Sequence, residues 1–230
     1  MATLFHDPFC PHSRFARLAL AEHGIATTLI AEKPWERRDD FLILNPAGTL
    51  PVFVDDTELV VTGAGGLAAF LSETTDPVSA TRRLMPDDIA ERVEVRRLLD
   101  WFNGKFYEEV SGYLVAEKIH KRYMPTGAGG GSPDMAAIRA ARSNIRYHLR
   151  YIGFLLGRRN CLAGDELTYA DLAAAGHLSC ADYLGDVPWD ESEAARQWYA
   201  RMKSRPAFRA LLSERVAGIA PAASYADLDF

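Results

Sequence analysis

The sequence predicts an α/β domain followed by an all-α domain. Three observations predict it: strand and helix signals run in the order βαβ then ββα over residues 1–76, no strand pattern follows Pro77, and residues 87–220 carry apolar spacings of three and four. At 230 residues, 48% apolar and 25% charged, the chain can bury sizeable cores without disulfide or metal staples. The expected organisation is a first domain over 1–76, a linker over 77–86, a helical domain over 87–220 and a tail over 221–230.

Thr3-Leu4-Phe5 reads as a strand, and Phe15, Leu18 and Ala19 with the stop at Gly24 read as a helix from Ser13. Ala26 to Ala31 is a second strand, Arg38 to Leu44 a short helix, and Asn45-Pro46-Ala47-Gly48 a loop. Pro51 to Val54 and Glu58 to Val61, joined by the acidic turn Asp55-Asp56, form a hairpin. A glycine-rich entry at Gly63 to Gly66 then leads into the helix around Leu67 to Leu71.

In the second half, Val95, Leu98, Phe102, Phe106, Val110 and Leu114 mark one face of a long helix from Asp87 to about Arg122. Pro125 to Pro133 is rich in glycine and reads as an exposed flexible loop. Further helices are expected at Asp134 to Leu156, Tyr169 to Tyr183, Glu193 to Lys203 and Ala207 to Glu214. Thr168 with Asp171 three residues on forms a capping box that starts the second of these.

Twenty-six Lys and Arg against 31 Asp and Glu give a formal net charge of −5, which speaks against generic nucleic-acid binding. The acidity is local, because residues 1–76 hold five basic and eleven acidic residues. Cys10, Cys161 and Cys180 are too few and too far apart for a disulfide framework or a metal site, so no metal is expected. Asp7 and Pro8 interrupt the start as a signal peptide would not, and no segment approaches the roughly 20 apolar residues of a membrane span. A soluble, cytoplasmic protein is the expectation.

The most specific local signal is Asn45-Pro46-Ala47-Gly48-Thr49-Leu50-Pro51. A proline opening a strand cannot donate to the ladder, and a cis bond before it would turn the Leu50 backbone outward toward a peptide-like ligand. An ordinary trans proline fits the residues as well. Taken with the βαβ-ββα order, the long-helix second half, the capping box and Trp198 to Phe208, this loop resembles the glutathione S-transferase superfamily from Thr3 to about Glu214.

That resemblance implies a thioredoxin-like domain, an all-helical domain, a homodimer, and glutathione bound above a cis-proline. It places the catalytic residue in Phe9-Cys10-Pro11-His12-Ser13-Arg14, similar to the cysteine-using branch. At a helix N-terminus the Cys10 thiol is expected to have a lowered pKa and to be a candidate nucleophile; a small buried filler is the plain alternative. The other half of the glutathione pocket is degenerate. Where relatives carry an acid and a serine, this chain reads Thr62-Gly63-Ala64, so Leu50, Pro51, Gly63 and Ala64 would outline a site without its charged grip. Losing such bonds, about 1.5–3 kcal/mol each, implies weak or no glutathione binding, and neither catalysis nor a cofactor is expected.

Ala2 to Pro8, Glu32 to Arg38 and Ser224 to Phe230 are similar to a superfamily branch that has given up detoxification and binds the tubulin-like division polymer FtsZ. The likeness implies a dimeric, non-catalytic partner of FtsZ at the division site. Trp35, between Pro34 and Glu36, is a candidate anchor for that partner or a ring folded back on its own loop. Tyr225, Leu228 and Phe230 alternate with Asp227 and Asp229, a pattern suited to docking on a partner or on the protein itself. Arg139, Arg142, Arg146 and Arg150 are spaced three, four and four and share one helix side, which serves as a solvated face or a basic stripe for an acidic partner. The competing function is a cysteine-type glutathione transferase or thiol reductase using Cys10.

Overall fold

A computed structural model describes residues 1–74 and 83–228. The first domain is a four-stranded sheet, β1 (Thr3–His6), β2 (Thr28–Ala31), β3 (Val52–Val54) and β4 (Val60–Thr62), in the order β2-β1-β3-β4. β1 pairs parallel with β2 and antiparallel with β3, which in turn pairs antiparallel with β4. The parallel pair needs a crossover, supplied by α1 (Pro11–Glu22); α2 (Asp39–Leu44) and α3 (Gly63–Thr74) complete the domain. Leu4 and Phe53 alternate inward onto Phe15, Leu18, Leu67 and Leu71, the reason a period-two strand and a period-3.6 helix meet in one core. The glycine-rich entry at Gly63 to Gly66 forms the first turn of α3.

The helical domain opens with α4 (Ile89–Asp100), capped by the Asp88 carboxylate on the N–H groups of Ala90 and Glu91. The chain continues without a break through a π-helical stretch (Trp101–Ser111), α5 (Gly112–Val115), a second π-helical stretch (Ala116–His120) and α6 (Lys121–Tyr123). The long helix therefore exists, but it is under-wound over its middle. Pro125 to Pro133 is exposed as expected, yet it is not unstructured: Thr126–Ala128 is a 3₁₀ turn, and Gly131 N–H donates to the Lys121 carbonyl. Then come α7 (Met135–Leu156), α8 (Tyr169–Tyr183), α9 (Glu193–Lys203), α10 (Arg209–Ser213) and a short α11 (Ala223–Ala226) inside the segment expected to be a plain tail. The expected linker overlaps residues 75–82, which lie outside the described residues.

α8 is buried along its whole length, packed on α1. Its start is fixed by Asp171, which accepts from the N–H groups of Leu162 and Thr168, the Thr168 hydroxyl and the Trp198 indole. Four donors around one carboxylate tie the start of α8 to α9. α1 comes close at Gly176, where a Cβ would lie 2.8 Å from the Phe15 backbone nitrogen. Gly176→Ala gains about 1 kcal/mol of helix propensity but drives a methyl into backbone that cannot rotate away. The net expectation is a loss of about 2 kcal/mol, read as a lower urea midpoint; an unchanged midpoint would mean the two domains separate without cost.

Candidate functional site

Between the domains lies a cleft of about 800 Å³. From the first domain it is lined by Asp7, Cys10, His12, Trp35, Leu50 and Gly63 to Gly65, and from the helical domain by Asn103, Tyr107, His120 and Lys121. The Leu50–Pro51 bond is cis, and Gly63 N–H donates to the Pro51 carbonyl at 2.9 Å, fixing the start of α3 beside the loop. Leu50, Gly63 and Ala64 line the cleft together, and Pro51 is tied to them through its carbonyl. A Cβ at Gly63 or Gly65 would meet nothing within 4 Å, so the cleft is open beside the start of α3.

Asp7 is the one carboxylate among the lining residues, and it is already occupied. It accepts from the N–H groups of Phe9 and Cys10 at 2.7 and 3.1 Å, and its other oxygen lies 3.1 Å from His120 Nε2. Burial pushes its pKa up, but His120 and the two N–H groups outweigh this and hold it below the usual carboxylate range. An incoming ammonium therefore finds no free acid in the cleft.

Cys10 is the N-cap of α1, with Pro11 at the first helical position. The expectation of an acidic thiol is corrected by the structure. Enclosure in protein pushes the Cys10 thiol up to about 11, and the nearby Asp7 carboxylate adds to this; hydrogen bonds with Ser13 and the His12 N–H only partly offset it. At pH 7 the thiolate fraction is then about 1 in 10⁴, on the order of a hundredfold below an ordinary cysteine. Alkylation by iodoacetamide, followed by mass spectrometry, is expected to be about a hundredfold slower at Cys10 than in an unfolded peptide; equal rates would refute this.

The cleft side of the helical wall was not legible in the sequence. His12 Nε2 sits 2.8 Å from the Asn103 carbonyl, and the His12 and Tyr107 rings meet at a tilt of 48° with centroids 4.4 Å apart. Behind them, His177 bridges Ser111 Oγ and Asn103 Oδ1 at 2.8 and 3.1 Å, and burial keeps His177 neutral. The under-wound stretch places Asn103 and Tyr107 on the cleft side, four residues apart, in a helix with no regular 3.6 period. Gly112 permits this: a Cβ there would lie 2.7 Å from the Tyr107 carbonyl oxygen and 3.2 Å from its ring. In the sequence, a glycine inside a helical pattern was the available signal.

Trp35 lies in a 3₁₀ turn, Pro34–Glu36, rather than an open loop. It is half-buried, its ring 5.2 Å from His120, so it bridges the domain seam. On its far side a smaller hollow of about 330 Å³ opens beside Phe9, Ile119 and Val216.

The other expected contact residues separate. Tyr225 is fully buried: its ring packs edge-on to Tyr183 at 5.0 Å, and its hydroxyl donates to the Leu211 carbonyl and accepts from Arg14. It anchors the tail to its own domain and is no surface for a partner. Asp227 and Leu228 are exposed, while Asp229 and Phe230 lie outside the described residues. Of the four arginines, Arg142 pairs with Asp186, and Arg146 and Arg150 share Glu191, so the stripe is partly neutralised; Arg139 is exposed. Among the described residues no cluster has the composition of a metal site, and no helix is long and apolar enough to cross a membrane.

Family models for the glutathione S-transferase N-terminal and C-terminal domains match residues 9–74 and 139–206. The chain belongs to the glutathione S-transferase family. Within that family it is 46% identical to FtsZ-localized protein A of Caulobacter vibrioides over 99% of this chain and 98% of that protein. The solved structure of FzlA from C. crescentus superposes with a TM-score of 0.91 at 44% identity, covering 100% of this chain and 99% of that one. A glutathione S-transferase from Sinorhizobium meliloti superposes with a TM-score of 0.96 at 50% identity over both full chains. The transferase fold is thus retained whole, around a cleft whose thiol is protonated and whose acid is engaged.

Proposed function

We propose that this glutathione S-transferase family member is a non-catalytic cell-division protein that associates, as a homodimer in the cytoplasm, with FtsZ filaments at the division site and regulates their architecture. The observation that carries the reading is the full-length 46% identity to a protein named for its localisation to FtsZ. The site chemistry supports it from the other side: the Cys10 thiol is held up near 11, and the cleft around Leu50, Pro51, Gly63 and Ala64 has no unengaged acid to grip an ammonium. No cofactor is assigned, and no role in nucleic-acid binding follows from a net charge of −5.

In this reading Trp35, the arginines of α7 and the exposed end of the tail from Asp227 are the contact residues. Co-sedimentation with polymerised FtsZ tests it, comparing the full chain with Trp35→Ala and with a truncation after Asp227. The truncation keeps Tyr225, whose removal would open the core rather than a contact. The reading expects the full chain to pellet with polymer; absence from the pellet would end it. Retention on immobilised glutathione together with turnover lost in Cys10→Ser would instead establish the cysteine-type transferase, which the position of Cys10 in the cleft favours.

A further inference from the structure

Lysine is almost never fully buried unless it is paired, yet Lys203, the last residue of α9, is 1% exposed. Its ammonium is turned onto the end of the chain, donating to the Ser224 carbonyl at 2.6 Å and to the Asp227 carbonyl. Burial pushes its pKa down to about 8, against upward pulls from Asp182 and Asp227. At pH 7 the group is therefore still about nine-tenths ammonium.

The segment it holds cannot hold itself. α11 is a single turn, too short to persist alone, and a helix C-terminus leaves carbonyls without partners in the helix. Neighbouring helices supply what is lacking. The Tyr183 carbonyl accepts from the Ala222 N–H at 3.0 Å, and Asp182, buried near the end of α8, accepts from the Ser224 hydroxyl at 3.1 Å. With the buried Tyr225 ring, these bonds secure residues 222–225. Lys203 extends the hold to Asp227, where the backbone turns extended, at φ −78° and ψ 124°, and the chain emerges with Asp227 and Leu228 exposed. Bonds from an ammonium are charge-assisted and about twice as strong as neutral ones, so the hold is strongest at this exit.

We propose that Lys203 is the positioning residue of the tail: its ammonium, anchored on the carbonyls of Ser224 and Asp227, fixes the direction in which Asp227 and Leu228 are presented to a partner. The choice of FtsZ as that partner rests on the filament reading; the hold on the tail does not.

The test uses the full chain in two assays. Lys203→Met removes the ammonium and keeps most of the stem, and Lys203→Gln carries the comparison if circular dichroism or size-exclusion chromatography shows the first variant misfolded. In hydrogen exchange the expected result is at least tenfold faster exchange over residues 222–228, with α8 and α9 unchanged. An unchanged tail, or equal loosening of α9, would make Lys203 an ordinary core residue and overturn the proposal. In co-sedimentation with polymerised FtsZ, Lys203→Met and Asp227→Ala/Leu228→Ala are each expected to weaken association about tenfold, and the triple variant to be no weaker than the double one. If wild type pellets and either variant pellets equally, or if the triple variant loses a further tenfold, the positioning role is refuted while the filament reading stands. If wild type does not pellet, the filament reading falls and hydrogen exchange alone decides whether Lys203 sets the tail.

Discussion

Arg14→Met is expected to lower the free energy of unfolding by about 3 kcal/mol, the lower end for removing one partner of a buried charge network. The guanidinium is fully buried, with its Nε donating to the Pro8 carbonyl at 2.8 Å and one Nη to Ser179 Oγ and the Tyr225 hydroxyl at 2.8 and 3.1 Å. The other Nη reaches Glu214 at 3.4 Å, and the group lies 4.2 Å over the Phe9 ring. Methionine keeps most of the volume, so what is lost is polar. The Pro8 carbonyl loses this buried donor, whereas Glu214 keeps Arg17 and the Tyr225 hydroxyl keeps the Leu211 carbonyl; that retention is why the loss is not larger. Arg14 joins α1 of the first domain to α8 and α11 of the second, so the tail should loosen before the fold does. Urea denaturation measures the global loss, and hydrogen exchange at Ala222 and Tyr225, whose N–H groups are bonded to Tyr183 and Ala222, reports the local one. A loss below 1 kcal/mol with unchanged exchange would show that the guanidinium is not what holds the tail.

Acidification is expected to remove about 3 kcal/mol of stability between pH 6.5 and 4 through His6 alone. His6 closes β1 facing the core, only 5% exposed, and its Nδ1 is buried without a hydrogen-bond partner. Burial, and then the Arg17 cation, push its pKa from 6.5 down to about 4, against a smaller upward pull from Asp7. The sign follows: in this window the unfolded chain binds a proton that the folded chain refuses, so stability is fully present above pH 6.5 and is lost as pH falls toward 4. His6→Gln should flatten this limb of a stability-against-pH curve, whatever it does to stability at pH 8. An identical slope in wild type and variant would place the acid sensitivity elsewhere.

The two-domain order, the capping box at Thr168 and Asp171 and the bounds of α8 and α9 were legible because each rests on a local pattern: alternation, spacing of three and four, or a cap three residues from its partner. The helical wall of the cleft was legible only on its buried side: the apolar spacing places Phe102, Phe106 and Val110 in the core, but it does not say that Asn103 and Tyr107 beside them face the first domain. Cys10 misled for a related reason. A helix N-terminus is visible in sequence and lowers a thiol pKa, but enclosure depends on residues as distant as Tyr107, and its cost is the larger. For Tyr225 the sequence left docking on a partner and docking on its own protein open; it is a core residue, since its pocket is assembled from Arg14, Tyr183 and Leu211.

By itself the sequence determined the fold class, the resemblance to glutathione S-transferases, and the absence of an acid and a serine after β4. Those depend on which residues are present and how far apart they stand. Only the tertiary structure decided that the thiol is protonated, that Asp7 is engaged by His120, and that Glu191 and Asp186 draw charge from the α7 arginines. Proton affinity and pairing depend on distance through space and on exclusion of water, and neither is written in the order of residues along the chain.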